Sequence, residues 1–252
     1  MPRKLGQHLL IRKSILDRIA GAACGEKASL VIEIGPGKGA LTEPLLERAE
    51  KVVAVEVDPY FVHYLRQKFS TAIEQGRLIL VEGDVLKTDL SAWGPAVVAG
   101  NLPYYITSPI LEKLFALGDL WIRAVFLVQA EVAERLAAQP GSRDFGYLSV
   151  QTQVFSTPEI LFPVSRLAFR PPPKVESAVV RLEPRRFAID DRTAFLRFTA
   201  ACFRHKRKTL RNNLIEAYEK ERVDSIDGIA RRAEQLSVEE LRALYEKLKA
   251  SS

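Results

Sequence analysis

Short β-branched runs alternate with amphipathic stretches along the first half of the chain. Apolar runs at residues 30–34, 52–57, 78–81, 96–99 and 123–128 have the length and residue types of buried strands. Between them, residues 41–49, 59–69 and 108–117 carry apolar side chains three and four positions apart, the spacing of a helix with one buried face. Alternation of this kind predicts βαβ units and a mostly parallel sheet covered by helices. Two further strands are expected at residues 148–155 and 177–182, with no helix between them, as an antiparallel addition at the sheet edge.

The texture changes after Glu183-Pro-Arg-Arg186, where strand runs stop and the pattern reads helix, turn, helix. A domain boundary is expected near 185, dividing the chain into 1–185 and a small all-helical domain at 186–252. Ser237-Val-Glu-Glu240 predicts a capping box at the start of the last helix.

The first strand runs into Glu33-Ile-Gly35-Pro-Gly37-Lys-Gly39-Ala40. Glycines there let the backbone turn sharply and approach a ligand with no Cβ in the way. Glu56 ends the second strand, twenty-one residues after Gly35, where a carboxylate can grip two ribose hydroxyls. Asp84 ends the third, placed to meet an adenine edge. An ordinary βα turn is one reading. A dinucleotide site is another, since Gly35-x-Gly37-x-x-Ala40 fits the degenerate nicotinamide fingerprint. The third glycine at 39 and the acid at 33 give Glu-x-Gly-x-Gly-x-Gly, which resembles the first motif of S-adenosylmethionine-dependent methyltransferases. That resemblance implies a seven-stranded, Rossmann-like class I sheet with the last pair antiparallel. It also implies Glu56 on the ribose and Asp84 facing the adenine.

The fourth strand ends in Gly100-Asn-Leu-Pro-Tyr-Tyr-Ile106, with large side chains where a turn normally keeps small polar ones. In the methyltransferase reading this resembles the Asn/Asp-Pro-Pro-Tyr motifs of enzymes that methylate exocyclic amino nitrogens. An adenine amino group is a poor nucleophile because its lone pair is delocalised into the ring. The Asn101 amide oxygen and the Leu102 carbonyl can accept its two hydrogens, and hold them more tightly as the nitrogen becomes positive. Pro103 fixes φ and adds no competing donor. Tyr104 offers a face for a base drawn out of its stack. Tyr105 is expected to pack beneath the loop.

Phe169-Arg-Pro-Pro-Pro-Lys-Val-Glu-Ser-Ala-Val-Val-Arg-Leu182 places an aromatic and a stiff polyproline segment ahead of the seventh strand. Together with Asn101-Leu-Pro-Tyr104 and Gly6-Gln-His-Leu-Leu10, it closely resembles the ribosomal RNA adenine dimethyltransferases over nearly the whole chain. The resemblance implies transfer of methyl groups from S-adenosylmethionine, released as S-adenosylhomocysteine, to N6 of two adjacent adenosines. These lie in the 3′-terminal hairpin loop of small-subunit rRNA, and the modification belongs to ribosome assembly. By position, Gln7, His8, Leu10, Glu33, Gly35, Gly37, Gly39, Glu56, Asp84 and Asn101 would hold the cofactor. Asn101, Leu102, Pro103, Tyr104 and Phe169 would serve catalysis, with Phe169 and Tyr104 sandwiching the base. Many members read Gln-Asn-Phe-Leu where this chain has Gln7-His8-Leu9-Leu10, and a buried structural His is the alternative reading of His8. The large-subunit rRNA methyltransferase of macrolide resistance is a second enzyme reading, and a non-catalytic nucleic-acid platform a reading of another class.

Charge agrees with a polyanionic partner. The net charge is +6, and from Arg185 onward sixteen Lys and Arg face eleven Asp and Glu. Spacings of seven, four and three would align Arg197, Arg204, Lys208 and Arg211 on one helical face, with Lys206 and Arg207 beside them as RNA contacts. The partner implied is small-subunit rRNA or a 30S-type assembly intermediate, with the protein a monomer. Cys24 and Cys202 stand apart from any second Cys or His at ligand spacing and read as reduced core thiols of a cytoplasmic protein, with no metal expected. No run of about 18 apolar residues occurs, so a membrane span is not expected.

Overall fold

The computed structural model describes residues 8–250, and its contacts divide the chain into two units. The first takes the described residues to Ala133 together with Pro158–Pro184; the second takes Glu134–Thr157 and the residues from Arg185 onward. The sequence division near 185 treats each domain as one continuous segment, whereas these units are interleaved.

The first unit begins with a two-residue strand β1 (Leu9–Leu10) and helix α1 (Lys13–Cys24). α1 buries Leu16, Ile19, Ala20, Ala23 and Cys24, a stripe at helical spacing. β2 (Ala28–Ile34), α2 (Thr42–Arg48), β3 (Ala49–Glu56), α3 (Pro59–Lys68), α4 (Ser70–Glu74) and β4 (Leu78–Glu82) follow. Asp58 caps α3 by accepting from Tyr60 N at 2.9 Å, with Pro59 in the first turn, where its missing N–H is harmless. β5 (Ala96–Asn101), α5 (Thr107–Ala116), β6 (Trp121–Gln129) and α6 (Ala130–Ala137) continue the alternation. After α7 (Tyr147–Phe155) come β7 (Ser156–Val164), β8 (Phe169–Arg170) and β9 (Ser177–Pro184).

Seven strands form one sheet in the order β4-β3-β2-β5-β6-β9-β7, and β1 pairs with β8 in a separate two-stranded ribbon. β4 through β6 in that order are parallel, and β9 runs antiparallel to β6. Val52, Val53, Ala54, Val97, Val98 and Val125 are buried, as continuous apolar runs covered on both faces require. The chain steps outward from β2 to β3 and β4, then returns to the other side of β2 with β5. That reversal opens a crevice beyond the carboxyl ends of β2 and β5, where open α/β sheets bind ligands.

One expectation fails here. Residues 148–155 are helix α7, not a strand. Their alternation also places Val150 and Val154 one helical turn apart, and both pack with Phe145, Phe195 and Phe198 in the core of the second unit. The strand lies just beyond, in β7, whose Pro158 and Pro163 disguise it. Prolines are tolerated there because β7 is the last strand of the sheet.

The second unit is helical, with α8 (Arg192–Cys202), α9 (Leu210–Leu214), α10 (Lys220–Asp224) and α11 (Val238–Ala250) alongside α7. Its core gathers Phe195, Phe198, Cys202, Leu210, Leu214, Leu241 and Tyr245. The capping box forms as expected: Ser237 Oγ accepts from Glu240 N at 3.1 Å, and Glu240 Oε2 accepts from Ser237 N at 2.7 Å.

Candidate functional site

The crevice holds a cavity of about 460 Å³. Strand ends bring its polar groups together: Gly35 and Gly37 after β2, Glu56 ending β3, Asp84 after β4 and Asn101 ending β5. Leu102, Pro103, Tyr104 and His8 complete the set of sequence-predicted residues that line it.

Gly35, Gly37 and Gly39 all have positive φ. Gly39 shows why the third glycine is needed: at φ +73° a Cβ there would run into the Phe69 ring and lie 2.8 Å from Leu65 Cδ2. It serves helix packing and does not line this cavity. Gly100 is bound differently, because a Cβ would sit 2.6 Å from the Ile34 carbonyl oxygen.

Glu56, 2% exposed, is fixed at both oxygens: Gly37 N donates to Oε2 at 2.9 Å and Asp58 N to Oε1 at 3.0 Å. The clamp ties the glycine loop to the end of β3 and leaves lone pairs for a ligand's hydroxyls. Asp84 Oδ1 accepts from Leu86 N at 2.9 Å. Glu33 is 1% exposed and accepts from Thr42 Oγ1 at 2.6 Å. Burial pushes its carboxyl up to about 7; Glu56 adds to the rise, while the Thr42 hydrogen bond and Lys68 oppose it. Glu33 and Leu10 line a smaller neighbouring cavity of about 140 Å³, which Gly35 and Asn101 share with the larger one.

Asn101 Nδ2 donates to the His8 carbonyl at 3.1 Å, so Oδ1 is the amide atom left to accept; it has no partner among the described residues. Leu102 N donates to the Leu127 carbonyl at 3.0 Å, which anchors the loop to β6, and the Leu102 carbonyl is unpaired among the described residues. The Tyr104 hydroxyl lies 2.9 Å from Ser177 Oγ. The His8 ring stands near-parallel to the Tyr104 ring, with centroids 6.3 Å apart, and its Nδ1 donates to the Pro171 carbonyl at 2.8 Å.

Phe169, expected as the wall opposite Tyr104, is instead 3% exposed in the core beside Leu10, its pairing partner, and lines neither cavity. The ring facing Tyr104 is His8. Tyr105 is not packed under the loop: it is 68% exposed and lines the cavity. Gln7 lies outside the described residues. Sequence reasoning missed the apolar walls Val57, Val85 and Leu86, each directly after a strand-end acid or one residue beyond it. That adjacency is the signal that could have found them.

The basic stripe is not one helical face. α8 ends at Cys202 and α9 begins at Leu210, so Arg204, Lys206, Arg207 and Lys208 lie on the connection, with Arg197 on α8 and Arg211 on α9. Asn213, 1% exposed, stabilises the break by donating to the Cys202 and His205 carbonyls and accepting from His205 N. Glu216 pairs with both Arg204 and Lys208, and Asp224 with Arg211 through two bonds. All of the connection's basic residues remain exposed.

Among the described residues no group of three or more His, Cys, Asp or Glu is placed to hold a metal, and no helix is long and apolar enough to cross a membrane. Cys24 and Cys202 are buried and free, and burial pushes the Cys24 thiol up to about 11.

The model of the family described as ribosomal RNA adenine dimethylase matches residues 1–249. The chain is 41% identical to the ribosomal RNA small subunit methyltransferase A of Chlorobium chlorochromatii, over 99% of this chain and 94% of the relative. It is 43% identical to the protein of the same name from Acidobacterium capsulatum, over 99% and 92%. Among solved structures, a dimethyladenosine transferase from Plasmodium falciparum superposes with a TM-score of 0.82 at 27% identity, covering 96% of this chain and 98% of the other. The 23S rRNA methyltransferase ErmE gives 0.75 at 28%, covering 96% and 99%.

Proposed function

Because the chain belongs to the ribosomal RNA adenine dimethylase family, we propose that it dimethylates N6 of two adjacent adenosines in the 3′-terminal hairpin loop of small-subunit rRNA, as a step of ribosome assembly in the cytoplasm. S-adenosylmethionine is the donor and S-adenosylhomocysteine the product. The sheet-bearing unit, most of the expected 1–185, acts as the catalytic domain, and the helical unit, 186–252 together with Glu134–Thr157, as the RNA-contacting domain of a monomer.

The observation that carries this reading is the fixed polarity of Asn101. Its Nδ2 is committed to the His8 carbonyl, which turns the amide's acceptor atom over to an incoming amine. With the Leu102 carbonyl it provides two acceptors for the two N–H groups of adenine N6. These acceptors strengthen as positive charge develops, so they favour the transition state over the bound base. The product ammonium is acidic, and a neutral Asn suffices where a strong base would be superfluous. Tyr104 supplies the stacking surface, a contact of roughly 1–3 kcal/mol for an unstacked base.

The residues present fit the donor. The doubly held Glu56 carboxylate offers acceptors for ribose hydroxyls at the open face above Gly35, where a Cβ would meet nothing within 4 Å. Asp84, with Val57, Val85 and Leu86 around it, suits the adenine moiety. Bound S-adenosylmethionine would supply an electrophilic methyl group on a sulfonium. Gly37, His8, Leu10, Glu33 and Gln7 complete the proposed cofactor set, and Gly39 shapes the loop from behind, against Phe69 and Leu65. Catalysis is assigned to Asn101, Leu102, Pro103 and Tyr104. Phe169 reaches the base only if β8 moves. Arg197, Arg204, Lys206, Arg207, Lys208 and Arg211 contact phosphates.

Likeness to ErmE supports a second reading, methylation of large-subunit rRNA. Identity of 41% and 43% over nearly full length to small-subunit enzymes favours the first. Primer extension across both rRNAs after incubation with the protein and donor separates them. Stops confined to the small-subunit hairpin are expected; stops only in large-subunit RNA would overturn the choice.

A further inference from the structure

Stacking on an aromatic face requires a ring and nothing more, so a phenylalanine would serve as well as Tyr104 for that task. The hydroxyl needs its own explanation. Its partner is Ser177 Oγ at 2.9 Å, across seventy-three positions of sequence. Ser177 is 0% exposed, and Tyr104 is its one side-chain hydrogen-bond partner among the described residues. A hydroxyl buried that completely is retained only if it is paired. Ser177 opens β9 opposite Gln129, the last residue of β6, so it stands on two hydrogen-bonded strands and not on a loop.

Tyr104 lies on a short turn beyond β5 and lines the large cavity. Held only at its Cα, the ring would be free to swing about two side-chain torsions. Held also at its hydroxyl, it keeps one plane. From this geometry we infer that Ser177 is a positioning residue for the methyl transfer, fixing the Tyr104 ring through the hydroxyl so that a base stacked on it meets Asn101 Oδ1 and the Leu102 carbonyl. The polyproline segment before β9 gains a purpose as well: it delivers Ser177 to the Asn-Leu-Pro-Tyr loop, which links two motifs that are far apart in the sequence.

This inference rests on the adenine-methylating function proposed above, and its test reads the anchor separately from the reaction. Ser177→Ala, Ser177→Thr, Tyr104→Phe and the Ser177→Ala/Tyr104→Phe double variant are compared in single-turnover methyl transfer to small-subunit rRNA. Loss of one buried hydrogen bond lowers the transfer rate about three- to tenfold. Because each substitution removes the same bond, Ser177→Ala and Tyr104→Phe each show that loss and the double variant shows no more. Ser177→Thr, which keeps the hydroxyl, restores the rate, and calorimetric affinity for S-adenosylmethionine is unchanged throughout. Additive losses, or a Ser177→Ala rate equal to the parent's, would overturn the inference. In spectra of protein carrying 13C-labelled tyrosine, the resonance absent from Tyr104→Phe identifies Tyr104. It moves in Ser177→Ala and stays put in Ser91→Ala. An unmoved resonance refutes the anchor itself, whereas a moved resonance in a protein that methylates no rRNA refutes the substrate reading alone.

Discussion

Glu33→Gln separates what a buried carboxylate does for the site from what it does to the fold. Glu33 is 1% exposed, and burial raises its carboxyl from 4.5 to about 7. Below pH 4.5 the group is protonated in both the folded and unfolded chain and contributes nothing to pH dependence. Between 4.5 and about 7 the unfolded chain releases the proton while the folded one keeps it, so stability falls as pH rises through that window and levels off above it. At about 1.4 kcal/mol per pH unit, ionised Glu33 destabilises the fold by about 3 kcal/mol above pH 7. Glutamine keeps an oxygen to accept from Thr42 Oγ1 and carries no charge. Glu33→Gln is therefore more stable than the parent by up to about 3 kcal/mol at pH 8 and close to it at pH 4.5. Both tryptophans, Trp93 and Trp121, lie in the sheet-bearing unit with Glu33, so urea unfolding followed by tryptophan fluorescence reports on the relevant unit. The gain comes with weaker cofactor binding, by at least about tenfold in calorimetry, as expected where a strained site is kept for function. A variant that is less stable than the parent at pH 8, or one that keeps the parent's pH slope, would show that ionised Glu33 does not destabilise the fold.

Asn101→Ala lowers the single-turnover rate about 10²- to 10³-fold, the effect of deleting one preorganised transition-state partner. It weakens the cofactor by no more than about tenfold, through the lost bond to the His8 carbonyl. Glu56→Ala does the reverse: two charge-assisted bonds to Gly37 and Asp58 go, and cofactor affinity drops about 100-fold while turnover at saturation is largely kept. Equal losses of cofactor affinity in the two variants contradict the assigned roles. Gly39→Ala forces a Cβ into Phe69 and Leu65 at a positive φ, and lowers stability by about 2–4 kcal/mol in urea unfolding. Ser237→Ala removes one half of the capping box and costs about 1 kcal/mol, read in the unfolding of the helical unit by circular dichroism.

The parallel core and the crevice at its strand ends were legible because their signals are local. Each strand end carries its own marker in Gly35, Glu56, Asp84 or Asn101, and parallel βαβ topology places all of them at one edge. What escaped depends on partners distant in sequence. Residues 148–155 satisfy both the strand and the helix period, and only packing against Phe195 and Phe198 decides between them. β7 escaped because two prolines normally argue against a strand, and its place as the last strand of the sheet is a property of the whole sheet. The basic run from Arg197 to Arg211 reads as one helix until the Asn213 side chain, eight residues beyond His205, satisfies the backbone of the break. Phe169 and Ser177 show the same limit within a single motif. The aromatic is drawn into the core beside Leu10, and the serine, which carried no signal of its own, reaches Tyr104.

Transfer of tritiated methyl groups from S-adenosylmethionine to undermethylated small ribosomal subunits, followed by nucleoside analysis, asks whether this protein dimethylates adenosine through Asn101. Label is expected to accumulate as N6,N6-dimethyladenosine, and Asn101→Ala to abolish most of it while still binding the donor. Label recovered in another nucleoside, or dimethyladenosine formed equally well by Asn101→Ala, would contradict that expectation.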